Sequence, residues 1–268
     1  MNASFLRWAG SKKKLLKRLL PYWQAANCTR YVEPFAGSAM LYFAARPPSA
    51  ILADTNEELI GMYCAVQRNW QGVFRAISKF PCTERFYYEL RRTNLPKSHV
   101  IQRAARFIYL NRFCFNGLYR TNCKGEFNVP YAQGSTRQLQ SRDEFKQFAS
   151  DIQNAQFVCQ DFRETLRRVR RGDFVYIDPP YAVENKRIFK QYGPTTFGKQ
   201  DLQELSEKLA GLDKRGAKFV VSYAYNKESL EVLTGWDRRF AIVARTVSGD
   251  VSFRNRAKEL FVSNMEML

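Results

Sequence analysis

The stretch Asp178-Pro179-Pro180-Tyr181 puts four residue types side by side that can hold one kind of chemical group. Proline has no backbone N–H and keeps φ near about −65°, so the pair makes a rigid turn whose carbonyls accept but whose nitrogens cannot donate. With the Asp178 carboxylate beside it, the turn offers acceptors only. Its complement is an NH₂ group with two hydrogens to give. The Tyr181 ring can stack on a flat molecule bearing that amine. In an amine such as the exocyclic N6 of adenine, the lone pair is delocalised into the ring. Holding both hydrogens between acceptors localises the lone pair and aims it at an electrophile. The chain carries one histidine, His99, so this chemistry suits it better than a His base or a His-rich metal site would. No metal is expected.

Three other segments carry candidate ligand-binding residues at predicted strand ends. In "VEPFAGSAM", Phe35, Ala36, Gly37 and Ser38 follow a short strand, where small residues let a ligand approach the backbone. In "ILADTN", Asp54 ends the next strand, where a carboxylate can accept from ribose hydroxyls or serve an Asx-turn or helix cap. In "FVCQDF", Asp161 and Phe162 can meet an adenine by a hydrogen bond and a ring contact. Together they suggest a cofactor containing a nucleoside. The chain lacks GxGxxG and GxxxxGK[ST], which argues against a dinucleotide or a P-loop triphosphate.

These strand ends need a sheet to hold them. Tyr31–Glu33, Ala50–Ala53, Gln156–Cys159, Phe174–Ile177 and Lys218–Ser222 read as strands. Helices are predicted at 12–23, 39–45, 57–70, 165–170, 201–212 and 227–233, with Asn56 or Thr55 as the cap of the third. Residues 239–245 and 259–262 read as a terminal pair of strands. Such alternation predicts a parallel sheet covered on both faces. The middle differs: it is helical to about residue 115, and "FNGLYRTNCKGEFNVPY" then has turn signals at Asn116-Gly117 and Lys124-Gly125, a loop plus hairpin. The expected division is an α/β domain in two parts, 1–56 and 144–268, around an insertion at 57–143.

Charge narrows the partner. The 268 residues include 43 Lys and Arg against 25 Asp and Glu, a net charge of +18, and such an excess suits a polyanion, nucleic acid first. There is no run of 18 apolar residues to span a bilayer and no signal-peptide h-region in "MNASFLRWAGSKKK". Six scattered cysteines without CxxC fit free thiols in a reducing cytoplasm.

Taken in order, "FLRWAGSKKKLL", "YVEPFAGSAM", "ILADTNEELI", "LNRFCFNGLYRTNCKGEFNVPY" and "DFVYIDPPYA" resemble the motifs of Dam-type DNA adenine-N6 methyltransferases. The resemblance spans nearly the whole chain and implies a Rossmann-like fold, S-adenosylmethionine as methyl donor, and double-stranded DNA as partner. It implies a cytoplasmic enzyme, bacterial or in a phage-infected cell, with no obligatory protein partner. Trp8 and Lys12 would help hold the methionyl part of the cofactor. Phe35 and Gly37 would lie along it, Asp54 on its ribose, and Asp161 and Phe162 near its adenine. Asp178 would sit where cofactor and target amine meet, with the Pro179 carbonyl as second acceptor, Pro180 stiffening the turn and Tyr181 stacking on a flipped base. Transfer would be a direct in-line attack of N6, accelerated mainly by positioning.

In the insertion, Phe115 matches a wedge at the opened base pair, and Leu118 and Arg120 match base contacts; an Arg suits bidentate pairing with guanine. Arg7 matches a basic position that touches the outer guanine. Arg112, Asn116, Lys124 and Pro130 complete the expected DNA-facing set. This pattern implies GATC or a close variant. Two departures stand out: Ser11 replaces a usual Gly, and "YAQGSTRQL" replaces a glycine-and-basic stretch. Lys12-Lys13-Lys14, Arg167-Arg168, Arg170-Arg171 and Lys186-Arg187 are expected along a phosphate track. Residues 184–198 are expected to form a loop that closes over the site. The alternatives are a methyltransferase acting on RNA or protein glutamine, which would typically carry Asn at position 178, and a DNA-binding regulator with a dead site. With this charge, affinity for duplex DNA should fall steeply between low and moderate salt, measured by fluorescence anisotropy. A flat response would count against a DNA duplex as substrate.

Overall fold

The computed structural model describes residues 5–134, 137–181, 197–244 and 256–266. Seven strands form one sheet: β1 (Arg30–Glu33), β2 (Ser49–Asp54), β3 (Ala155–Cys159), β4 (Asp173–Ile177), β5 (Lys218–Ala224), β6 (Asp237–Ala244) and β7 (Arg256–Ser263). Their spatial order is β3-β2-β1-β4-β5-β7-β6. The first five pair in parallel, and β7 enters antiparallel between β5 and β6.

Side-chain alternation explains why both faces are covered. On one face Tyr31, Leu52, Phe174 and Tyr176 join a large buried cluster; on the other Val32, Ile51, Val175 and Ile177 join a second. The first face is covered by α1 (Leu16–Ala26), α2 (Met40–Ala45), α3 (Glu57–Ile77) and α6 (Arg142–Asp151). The second is covered by α7 (Phe162–Arg167), α8 (Lys199–Lys214) and α9 (Lys227–Val232).

The winding reverses between β1 and β4, which places their carboxyl ends side by side and opens a crevice there. At the opposite end, Arg30 opens β1 and Asp173 opens β4. They form a bidentate pair, Nε to Oδ1 at 2.8 Å and Nη2 to Oδ2 at 2.5 Å. That pair pins the register Arg30 to Asp173, and so sets how the two strand ends meet.

Several predicted boundaries shift for local reasons. The first helix is broken into a 3-10 turn at Lys12–Leu15 and α1, which runs to Ala26 through Pro21. Asn56 caps α3 by accepting from the Leu59 N–H at 3.0 Å, and α3 runs past Trp70 to Ile77 across a kink at Asn69. The next helix starts at Phe162 rather than 165, because the Asp161 carboxylate accepts from the Arg163 N–H and caps it.

In the middle of the chain, α4 (Glu84–Arg92) and α5 (Val100–Phe113) pack beside α3. Arg106 on α5 closes the end of α4 by donating to the Leu90 and Arg91 carbonyls. The expected hairpin forms as two isolated bridges, Cys114 to Tyr131 and Thr121 to Phe127. Tyr87 and Arg91 hold it to α4 by donating to the Val129 carbonyl.

Ser141 and Glu144 build a full capping box at the start of α6, on the surface. Ser141→Ala should lower stability by about 1 kcal/mol in denaturant unfolding and leave turnover per folded molecule unchanged.

Candidate active site

The crevice between β1 and β4 is lined by four segments distant in the chain. Asp178 leaves the end of β4. Its Oδ1 takes the Lys12 ammonium at 2.9 Å and the Ser222 hydroxyl at 3.1 Å. Both contacts fall on Oδ1, so among the described residues Oδ2 is the carboxylate oxygen left to accept. Ser222, fully buried on β5, lies 3.0 Å from the Tyr176 hydroxyl. The ammonium also reaches Glu259 of β7 at 3.0 Å and donates to the Tyr181 hydroxyl at 3.1 Å. Tyr181 in turn donates to Glu259, 2.8 Å from Oε2 and 3.0 Å from Oε1. Its ring meets Tyr223 edge-on at 5.4 Å.

This cluster is largely dry: Lys12 and Glu259 are 9% and 5% exposed, and Asp178 is 19% exposed. Burial pushes the Asp178 carboxyl up to about 6; Lys12 pulls it back, Glu259 pushes it further up, and Ser222 lowers it. Burial works against the Lys12 charge, yet Asp178, then Tyr181 and Glu259, hold its pKa above the ordinary lysine range. Lys12 is therefore a permanent cation between two acids. This corrects the expectation that it belongs to a phosphate track: it is turned into the core, while Lys13 and Lys14 stay exposed.

The neighbouring strand ends make a second part of the crevice. Asp54 closes β2, and its two oxygens accept from the N–H groups of Gly37 at 3.0 Å and Asn56 at 2.9 Å. Burial raises its pKa, and those backbone bonds oppose the rise. Gly37 has φ +47°, and a Cβ there would lie 2.9 Å from Trp8 Nε1, so only glycine fits under that indole. Tyr63 of α3 donates to the Gly37 carbonyl at 3.0 Å. Phe35 stacks on Phe162 at 5.3 Å, and Phe197 packs against both. Asp161 carries its capping bond and an ion pair with Arg163 at 3.2 Å, while Arg163 also grips Asp201 and Glu204 of α8.

The basic residues of the hairpin form a third part. The Asn111 amide clamps the Arg7 backbone on both sides, accepting from its N–H at 2.9 Å and donating to its carbonyl at 2.5 Å. The Arg7 guanidinium donates to the Cys114 carbonyl at 3.2 Å; burial, then Arg137 and Arg112, lower its pKa. Gly117, at φ +64°, lies against Arg7, where a Cβ would come within 2.7 Å. Phe115 is 43% exposed, and Asn116 and Pro130 are exposed beside it. Arg120 is oriented by Asn128, Nε to Oδ1 at 2.7 Å, and Arg112 by the Gln138 carbonyl at 2.7 Å. Leu118 is half-buried against the core, and Lys124 sits at the exposed hairpin tip.

The sequence reading missed Glu259, Ser222, Tyr176 and Phe197. A signal for Glu259 existed: a lone acid before the apolar run Leu260-Phe261-Val262. The predicted closing loop lies outside the described residues except for Phe197 and Gly198, as do Lys186 and Arg187. Among the described residues no helix is long and apolar enough to cross a membrane.

The model of a family described as D12 class N6 adenine-specific DNA methyltransferase matches residues 8–246. The DNA adenine methylase of Serratia marcescens is 31% identical over 97% of this chain and 97% of its own length. The DNA adenine methylase of Escherichia coli K12 is 30% identical over 97% and 94%. The Type II methyltransferase M.MjaIII of Methanocaldococcus jannaschii is 33% identical over 83% and 84%.

The Asp178 carboxyl should titrate near about 6 by ¹³C NMR. Lys12→Met removes the cation that stabilises the ionised form, so the midpoint should move up in that variant. A midpoint that stays put would break the electrostatic account of the cluster.

Proposed function

This chain belongs to the D12 class of N6 adenine-specific DNA methyltransferases, and from that premise we propose that it methylates a flipped-out adenine within GATC or a close variant, with S-adenosylmethionine as donor. The observation that carries the reading is the acceptor turn: Asp178 has Oδ1 anchored by Lys12 at 2.9 Å and Ser222 at 3.1 Å, beside a proline pair that offers no donors.

The residues around the crevice fit the donor. Gly37 supports it, because the backbone there is bare of a side chain and lies under the Trp8 indole. Asp54, held by Gly37 and Asn56, presents a carboxylate at a strand end, where ribose hydroxyls are commonly taken. Phe35, Phe162 and Phe197 supply an aromatic wall suited to a purine. S-adenosylmethionine, when bound, supplies an electrophilic methyl group on a sulfonium. The protein's part is to aim the nucleophile. Asp178 Oδ2 and the Pro179 carbonyl take the two N6 hydrogens, which concentrates the lone pair on nitrogen. Pro180 keeps the turn stiff and free of competing donors. Tyr181 offers a ring fixed at its hydroxyl by Glu259 and at its edge by Tyr223, a ready stacking surface for an extrahelical base.

Residues 57–143 are read as the DNA-reading insertion. Exposed Phe115 suits a wedge into the space a flipped base leaves. Arg7, Leu118 and Arg120 are read as base contacts, with Arg112, Asn116, Lys124 and Pro130 toward the backbone. Arg120 is already oriented by Asn128, which favours a defined contact over a diffuse one.

Asp178→Ala should reduce labelled methyl transfer to duplex DNA by at least about 10³-fold while DNA affinity stays within a few-fold. An active Asp178→Ala enzyme would defeat the acceptor role. Sequencing methylated adenines in DNA from cells expressing the protein tests the site. Modification spread over unrelated sequences would reject GATC.

A further inference from the structure

The amine-holding turn needs Asp178, and Asp178 is oriented by Lys12, but neither requirement calls for a third charge. Glu259 supplies one. It lies on β7, is 4% exposed, and belongs to none of the motifs that carry the acceptor turn or the donor pocket. The Lys12 ammonium stands almost midway between the two acids, 2.9 Å from Asp178 Oδ1 and 3.0 Å from Glu259 Oε1. Glu259 also accepts from the Tyr181 hydroxyl.

The charge count makes this arrangement meaningful. The groups around Asp178 are Lys12 ahead of α1, Tyr31 and Glu33 on β1, Tyr176 on β4, Ser222 on β5, Tyr181 beyond the turn and Glu259 on β7. Burial pushes the Glu33 carboxyl well above the ordinary carboxyl range, and it accepts from the Tyr31 hydroxyl at 2.9 Å. Burial likewise keeps Tyr31, Tyr176 and Tyr181 neutral. At the ammonium itself the ion pairs join one cation to two acids, Asp178 and Glu259. With Asp178 alone, Lys12 would form a closed neutral pair in a dry site, and its field would draw the carboxylate's charge away from Oδ2. A second acid on the same ammonium divides that field. The surplus negative charge also suits the reaction: N6 would become positive as its lone pair forms the N–C bond, while the methyl–sulfur bonding pair would stay on sulfur as a neutral thioether and the N6 proton would then pass to water.

We propose that Glu259 is a positioning residue for methyl transfer: by sharing the Lys12 ammonium and anchoring the Tyr181 hydroxyl, it leaves Asp178 Oδ2 a strong acceptor for the target amine and fixes the stacking ring. The inference rests on Asp178 as that acceptor, and its test separates the two ideas. Single-turnover rates across pH are compared for the wild type, Glu259→Gln, Glu259→Asp and Tyr181→Phe, with DNA Kd measured in parallel.

Glu259→Gln should lower the rate at its pH plateau by about 10- to 100-fold, keep the DNA Kd within about twofold, and move the acid limb of the profile to lower pH. The last change follows because losing a nearby anion lets Asp178 ionise more readily. A slower enzyme with an acid limb at lower pH is not what a loosened fold produces. Glu259→Asp keeps the charge at a longer reach, so both effects should be smaller and in the same direction. Tyr181→Phe removes only the hydroxyl anchor and should slow the reaction less than Glu259→Gln. Should Glu259→Gln fail to fold in a thermal melt, Glu259→Asp decides by itself, and an unmoved acid limb with a wild-type rate overturns the proposal. So does a Glu259→Gln enzyme whose loss lies wholly in DNA binding. An inactive Asp178→Ala beside a wild-type Glu259→Gln sinks this inference alone; an active Asp178→Ala sinks the acceptor reading and this inference with it.

Discussion

One ammonium group ties the crevice together. Lys12 Nζ contacts Asp178 from the end of β4, Glu259 from β7 and the Tyr181 hydroxyl beyond the proline turn. These groups come from the start, middle and end of the chain. Removing one charge from a dry cluster leaves the others unpaired, which costs far more than an exposed salt bridge. The cluster can form only if β7 slots in beside β5 and the 3-10 turn at Lys12–Leu15 points the side chain inward. Strand order at one edge of the sheet and a local break near the N-terminus therefore meet in a single contact.

A second junction lies only a few residues before Lys12 along the chain. Trp8 roofs Gly37 on the donor side and stacks with Tyr119 of the hairpin at 5.9 Å. Arg7, its neighbour, is clamped by Asn111 and packs on Gly117. Two adjacent residues thus touch the Gly37 loop, the hairpin and α5. Both glycines are required by close approach: a Cβ at either would strike this segment at under 3.0 Å. Tyr63 of α3 stacks on Phe157 of β3 at 4.5 Å while its hydroxyl holds the Gly37 carbonyl. α3 thus ties the sheet to the Gly37 loop.

Much of this was legible in residue order. Strand–helix alternation, the buried strands with turn residues at their ends, the acceptor-only turn and the basic hairpin are local patterns, and local sterics and side-chain periodicity produce them. Asn56 could be read as a cap because an Asx residue before two acids and an apolar run has few better uses. The early start of α7 was harder, because it turns on whether the Asp161 side chain bonds the backbone just after it.

Residue order sets the chemistry offered at each strand end: an acid and two prolines at one, a glycine loop at another, a carboxylate at a third. Which charges share a site depends on the folded sheet. Lys12 read as a cofactor-side residue and part of a basic run, and Glu259 as one acid in a terminal strand. Their partnership depends on β7 lying antiparallel to β5, with Ala224 opposite Glu259. No local propensity encodes a pairing between residues so far apart in the chain. Burial, a property of the whole fold, turns that pairing from a weak surface contact into a strong electrostatic constraint.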